Sequence, residues 1–204
     1  MPDRTYGKPA PVTTSAVDPE TWDLSAVSGS RFDTVLFADV DLSDFENRGG
    51  TFDACTFRGI RFNASTHLDA AFTNCTFVGC NFFDVRFTGS KLVGSTFDRC
   101  TFDLMAVEGG DWSLVGLPGA DLRKATFRGV RLREADLSGA QFNGAAVRDT
   151  DLSGAILRGA SFRGTDLRGS DLSALDPRAC DVQDALIDVE QAMVIAAALG
   201  LRLG

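Results

Sequence analysis

Few side chains in this 204-residue sequence have the type and spacing to do chemistry. His67 is its single histidine, so no Ser-His-Asp or His-Cys arrangement has a spare partner, and one imidazole does not hold a metal ion alone. The cysteines are Cys55, Cys75, Cys80, Cys100 and Cys180. No two of them make a Cys-x-x-Cys spacing, the usual sign of zinc or dithiol redox chemistry. The 21 glycines stand mostly alone, and none belongs to a phosphate-binding loop that follows a strand and opens a helix. Neither catalysis nor a cofactor or metal is expected. That leaves the carboxylates, whose chemistry is charge: a regular row of them can occupy a basic groove.

What positions those carboxylates is a repeat of five. Stepping by five from Trp22 to Leu172 meets 31 positions, of which 29 are apolar and 26 are Leu, Phe or Trp; random placement at this composition would give about 14 apolar. Of the 16 Phe, 14 share this phase, and only Phe45 and Phe83 fall outside it. A second column, two residues earlier, carries small or compact side chains such as Ser30, Val35, Ser65, Ala70, Ser90 and Ala135, together with all five cysteines. A helix of period 3.6 or a strand of period 2 would turn such a pattern off its core within a turn or two. Both columns must therefore face one interior. Asn47 and His67 are the two polar residues in the apolar phase, and a structural role is expected for both: they satisfy each other, reach backbone, or turn outward. The adjacent Arg48-Gly49-Gly50 favours a local irregularity there.

These residues resemble the pentapeptide-repeat family, whose unit is Ala, Asp or Asn, Leu or Phe, then two looser positions. Ala120-Asp121-Leu122-Arg123, Ala135-Asp136-Leu137-Ser138-Gly139 and Thr165-Asp166-Leu167-Arg168-Gly169 match it, and the pattern runs from about Val27 to Leu172 without an insertion. The resemblance implies an all-β fold, a right-handed quadrilateral β-helix in which four repeats form the sides of a coil. Residues twenty apart then stack at about 4.8 Å. About 150 repeat residues give roughly 7.5 coils, a rod about 36 Å long. Cys55 would stack with Cys75 and Cys80 with Cys100, packing as small hydrophobes.

Three segments follow. Residues 1–21, with Pro2, Pro9, Pro11 and Pro19 among Thr, Ser and Ala, read as a disordered or extended lead-in. Residues 22–182 form the repeat domain, with Trp22 covering one open end. Residues 183–204 follow after Pro177 interrupts the phase, and there Asp188 with Gln191 three residues on makes a capping box and Gly200 a stop. The spacing predicts a helix of about twelve residues. From Ala192 to Leu199 it has no polar side chain, too apolar for a helix with one face in water. One face is expected to cap the last coil, leaving Met193, Ile195, Leu199 and Leu201 for a homodimer contact. With no run of roughly 18 apolar residues and no basic-then-apolar leader, a cytoplasmic protein without membrane attachment is expected.

Charge is unevenly placed. Residues 22–110 hold 12 acidic against 7 basic side chains, and residues 111–204 hold 13 against 11. In the second part Arg123, Arg128, Arg133, Arg148, Arg158, Arg163 and Arg168 each follow an inward residue near Asp, so that part reads as charge-paired. In the first, Asp33, Asp39, Asp41, Asp44, Glu46, Asp53, Asp98, Asp103 and Glu108 are expected to be exposed with fewer partners and to bind a protein target. Duplex DNA carries about one charge per 1.7 Å, roughly 21 over such a rod. The chain's net charge is -8, so any imitation of DNA must be a local patch. A closer resemblance is to the MfpA branch of the Qnr/MfpA group, carried by Asn63-Ala64-Ser65-Thr66-His67, Phe72-Thr73-Asn74-Cys75-Thr76-Phe77, and the tail from Asp188-Val189-Glu190-Gln191-Ala192 to Leu201. That resemblance implies a DNA-mimicking dimer, joined through its C-terminal segment, that binds DNA gyrase and is associated with fluoroquinolone resistance, without binding nucleic acid itself. The alternative is a repeat scaffold that binds another protein through its flat faces, with Phe83, Val78, Leu68 and Val93 as contacts.

Overall fold

A computed structural model describes residues 12–17 and 27–202. Each repeat supplies about three extended residues and a corner. Side chains alternate along a strand, so the central Phe or Leu points in and its two neighbours point out. Two residues after the centre the backbone turns left-handed. Fourteen residues other than glycine, from Thr34 to Asp184, hold φ between 52° and 61° at such corners, a conformation that costs an L-residue roughly 1–2 kcal/mol. Asp and Asn, the least penalised of the non-glycine residues, take seven of them: Asp39, Asp44, Asp69, Asn74, Asp84, Asp149 and Asp184.

Each paired strand is joined to its neighbour in parallel with a register of twenty residues, which gives four sides to the coil. The first side is a sheet of β1 (Ser15–Ala16), β3 (Val35–Ala38), β6 (Thr56–Arg58), β9 (Thr76–Val78) and β11 (Thr96–Asp98). The second side is held by single bridges, Asp41 to Arg61 to Asn81 to Thr101 and Asp121 to Gln141 to Ser161 to Asp181. The third has six strands: β4 (Glu46–Arg48), β7 (Thr66–Leu68), β10 (Arg86–Thr88), β12 (Ala106–Glu108), β13 (Thr126–Arg128) and β14 (Ala146–Arg148). The fourth stacks β2 (Arg31–Asp33), β5 (Thr51–Asp53) and β8 (Ala71–Thr73). Bridges such as Ala146 to Asp166 to Leu186 carry the register to the last coil.

The interior is the stack that the period of five requires. Phe37, Phe57, Phe77 and Phe97 lie above one another with ring centroids 4.9, 4.8 and 4.7 Å apart and planes within 11° of parallel. Phe52 and Phe72 stack at 4.8 Å, as do Phe62 and Phe82. Neighbouring columns meet edge to face, as Phe37 does Phe52 at 5.6 Å, so each ring serves both favourable aromatic geometries, worth about 0.5–1.5 kcal/mol per pair beyond burial. The small column is small because it follows the corner. Most of the hydroxyls and thiols it carries bond the carbonyl of the central residue one coil back, as Ser95 Oγ does Phe72 O at 2.6 Å, Thr165 Oγ1 Phe142 O at 2.6 Å and Cys75 Sγ Phe52 O at 3.4 Å.

Asn47 and His67 turn inward without breaking the coil, contrary to the irregularity expected there. Asn47, His67 and Phe87 are in register, and Asn47 and His67 are buried. The Asn47 amide meets His67 Nδ1 at 3.4 Å, Ser65 Oγ meets Nε2 at 3.1 Å, and the Gly50 amide donates to Asn47 Oδ1 at 3.0 Å. Gly50 is required by this approach, because a Cβ there would run into Asn47 Oδ1 and lie 2.8 Å from the Val27 carbonyl. The lead-in is also partly coil. Ser15 pairs with Val35, Val17 N donates to Leu36 O at 3.0 Å, and the Val17 side chain packs on the core, so residues 15–17 add to the first side of the coil. Trp22 lies outside the described residues. Among the described residues no helix is long and apolar enough to cross a membrane.

Candidate partner-binding surface

The outward positions are those flanking each central residue and those at the corners, and the register fixes where every expected binding residue stands. Asp39 and Asp98 belong to the first side, Asp41, Asp44 and Asp103 to the second, Glu46 and Glu108 to the third, Asp33 and Asp53 to the fourth. They do not form one stripe. Six of the nine fall between residues 33 and 53, one full circuit of the coil, where Arg48 is the single basic residue. The structure therefore gathers them as a girdle around the N-terminal part of the rod, with Asp33 directly over Asp53.

The contrast in pairing between the two parts of the chain does not hold. Of twelve ion pairs among the described residues, six use an acid from 41–103. Asp41 lies 2.8 Å from Arg61, Asp98 3.1 Å from Arg99, Asp103 3.2 Å from Lys124, Asp53 3.9 Å from Arg31, and Glu46 contacts Arg48. All are exposed and worth little individually. Among the described residues no Lys or Arg nitrogen lies within 4.0 Å of Asp33, Asp39, Asp44 or Glu108. Asp41 accepts from the Ser43 hydroxyl and amide at 2.6 and 3.0 Å and from Arg61. These bonds, the Ser43 hydroxyl foremost, hold its carboxyl at about 2, so its charge persists at any neutral or mildly acid pH.

At the other end α1 (Val189–Ala198) closes the rod. The Asp188–Gln191 capping box is present, and Gly200 N to Ala197 O with Leu201 N to Ala196 O make the left-handed stop. Both cap residues have a second task that spacing alone does not reveal. Gln191 Nε2 donates to Leu167 O and Ser170 O, each at 2.7 Å, and Asp188 Oδ2 accepts from Gly169 N at 3.1 Å. These side chains stand in for the coil that would come next. Arg178 holds the far end of the helix through Ala198 O and Leu199 O at 3.0 and 2.7 Å. Met193, Leu199 and Leu201 are exposed, whereas Ile195 turns to the last coil and, with Leu167, Leu172 and Ile187, lines an apolar cavity of about 70 Å³. Val189, Val194 and Leu186 are exposed as well; Val189 and Leu186 lie outside the run of apolar helix residues that drew attention in the sequence.

A stack of short parallel strands with an aromatic interior and no cluster of metal-ligating side chains among the described residues defines a β-solenoid scaffold. The chain carries pentapeptide repeats: the model of pentapeptide repeats matches residues 68–103, 117–149 and 135–173. Similar solved structures include QnrB1, a plasmid-mediated fluoroquinolone resistance protein, with 23% identity over 95% of this chain and 97% of that one and a TM-score of 0.44. HetL, a pentapeptide-repeat protein involved in heterocyst differentiation regulation in the cyanobacterium Nostoc sp. strain PCC 7120, is 18% identical over 85% and 83%, with a TM-score of 0.47. No curated protein sequence matches the chain.

Proposed function

We propose that this chain is a non-enzymatic, cytoplasmic pentapeptide-repeat protein that binds DNA gyrase as a partial DNA mimic, inhibiting the enzyme or protecting it from fluoroquinolones, and that it acts as a homodimer joined through its C-terminal helix. The observation that carries the reading is the girdle, in which Asp33, Asp39, Asp41, Asp44, Glu46 and Asp53 encircle one coil; Arg31, Arg48 and Arg61 reach Asp53, Glu46 and Asp41, and among the described residues no Lys or Arg nitrogen lies within 4.0 Å of Asp33, Asp39 or Asp44. Regular rungs at about 4.8 Å set these carboxylates on a rigid frame, so a basic groove meets them without an ordering cost. In the scaffold alternative, Val78, Phe83, Leu68 and Val93 stand on the first, second, third and fourth sides respectively, so its contacts would ring the coil as the carboxylates do and not share one flat face.

Purified protein is expected to inhibit gyrase supercoiling in the micromolar range. Replacing Asp33, Asp53 and Asp103 with Asn is expected to weaken that inhibition several-fold while leaving the thermal midpoint in place. Raising salt from 0.05 to about 0.2 M should weaken binding too, because exposed charges are screened over about 10 Å or less. Wild-type protein without effect on gyrase would remove the reading.

A further inference from the structure

Two pairs of thiols occupy equivalent places in the interior. Thr76 N donates to Cys55 O and Thr101 N to Cys80 O, at 2.9 and 3.1 Å, in unbroken register, so Cys55 faces Cys75 and Cys80 faces Cys100 on adjacent rungs. The rung spacing of about 4.8 Å lies within the roughly 4.4–6.8 Å between Cα atoms that a disulfide spans. All four thiols bond the carbonyl of the central residue one coil back, Cys80 Sγ to Phe57 O at 3.4 Å and Cys100 Sγ to Phe77 O at 3.6 Å, so the two side chains of each pair are held the same way. Access separates the pairs. Cys55 and Cys75 are fully buried, whereas Cys80 is 2% exposed and its partner Cys100 is only half-buried.

We infer that Cys80 and Cys100 are a peroxide-sensitive site that forms a reversible disulfide between adjacent coils, while Cys55 and Cys75, in the same geometry, stay reduced in the folded protein. Hydrogen peroxide approaches at Cys100. Its sulfur, as thiolate, attacks one peroxide oxygen; the S–O bond forms, the O–O bond breaks, and the departing hydroxide takes up the proton that the thiol pair released to solvent on ionising and leaves as water. The Cys80 sulfur then displaces hydroxide from the sulfenic acid, which takes the Cys80 proton and leaves as a second water. Two thiols are oxidised and one peroxide is reduced to two waters. The neighbouring thiol, outweighing burial, holds Cys80 below the ordinary thiol value, and the same neighbour together with burial pushes Cys100 up, so Cys100 attacks as its proton passes to the Cys80 thiolate beside it. Stacked Cβ atoms at rung spacing stand slightly beyond the usual separation in a disulfide, about 3.5–4.5 Å, so the bridge is under tension and opens to mild reductant.

The test is peroxide treatment of the intact folded protein at stoichiometric dose, alkylation, and peptide mapping. The expected product is a Cys80–Cys100 cross-linked peptide lighter by two hydrogens, reversed by dithiothreitol, with the thermal midpoint raised while the bridge lasts and Cys55 and Cys75 recovered as free thiols. In the Cys80→Ala variant, a residue the same column already carries at Ala120, oxidation should stop at a dimedone-trappable sulfenic acid on Cys100. A Cys55–Cys75 bridge forming as fast, Cys100 passing to sulfinic acid with Cys80 still free, or no bridge in the folded protein would each overturn the inference.

Discussion

A proton added to His67 has nowhere to place its charge. The ring stacks on Phe87 at 4.8 Å and meets Phe62 and Phe72 edge-on, and its polar neighbours, Asn47 and Ser65, are uncharged. Burial alone drives its value down to about 3, from 6.5. The folded state thus holds the neutral form, so the stability this gives is complete above pH 6.5 and is lost progressively as pH falls from there toward 3. Between pH 6.5 and 4.5 the loss amounts to about 3 kcal/mol at 1.36 kcal/mol per unit. Urea midpoints measured across that window should fall for the wild type and hold nearly level for His67→Phe, which keeps the stack on Phe87; carboxylates, ionising near 4 when unfolded, contribute mainly below it. Equal slopes would place the acid sensitivity elsewhere. That both polar residues belong to the apolar column was legible in the sequence from the phase of five. That they face inward was not, because the Gly50 amide and the Ser65 hydroxyl that satisfy them belong to the small column, where the period asks for compact side chains without showing which will meet a polar partner.

Elements in this fold are defined by what ends them. A strand of three residues has no stability of its own and exists because the next coil covers it; the last coil has only α1. A ten-residue helix is marginal in water, so its folding depends on the bonds from Gln191 to Leu167 O and Ser170 O and from Asp188 to Gly169 N. Gln191→Ala leaves two carbonyls of the last coil without these donors, a cost of about 2–4 kcal/mol. Hydrogen exchange should then show amides 189–198 losing protection while those of β7 to β13 keep theirs. If protection of the helix is unchanged, its apolar contacts hold it in place. The helix was legible because a capping box and a glycine stop are local signals. Its attachment was not, since a carbonyl's need for a donor becomes visible only when the coil beyond it is seen to be missing.

At the scale of the whole molecule the two ends differ in kind: charge encircles the first described coils, and apolar surface covers the last. Met193, Val194, Leu199 and Leu201 are exposed on or just beyond one short helix, as are Leu186 and Val189 at its start. The 70 Å³ cavity beneath Ile195 shows that the helix does not fill the end it covers. Such a patch at a rod's terminus favours an end-on pair of like chains, and it would set the two carboxylate girdles at opposite extremes, about 70 Å apart if each rod is about 36 Å long. Sedimentation equilibrium should give close to twice the chain mass of 21.8 kDa. Met193→Lys with Leu199→Lys should halve that value without changing the thermal midpoint of the coils, because neither side chain is buried in the single chain. Ile195→Lys is the contrasting control: its side chain faces the last coil, so it should loosen the cap, seen as lost helical signal, whatever it does to the mass. A dimer that survives the first pair of substitutions would place the contact on a side of the coil and bring the girdles close together, where a single basic groove could meet both.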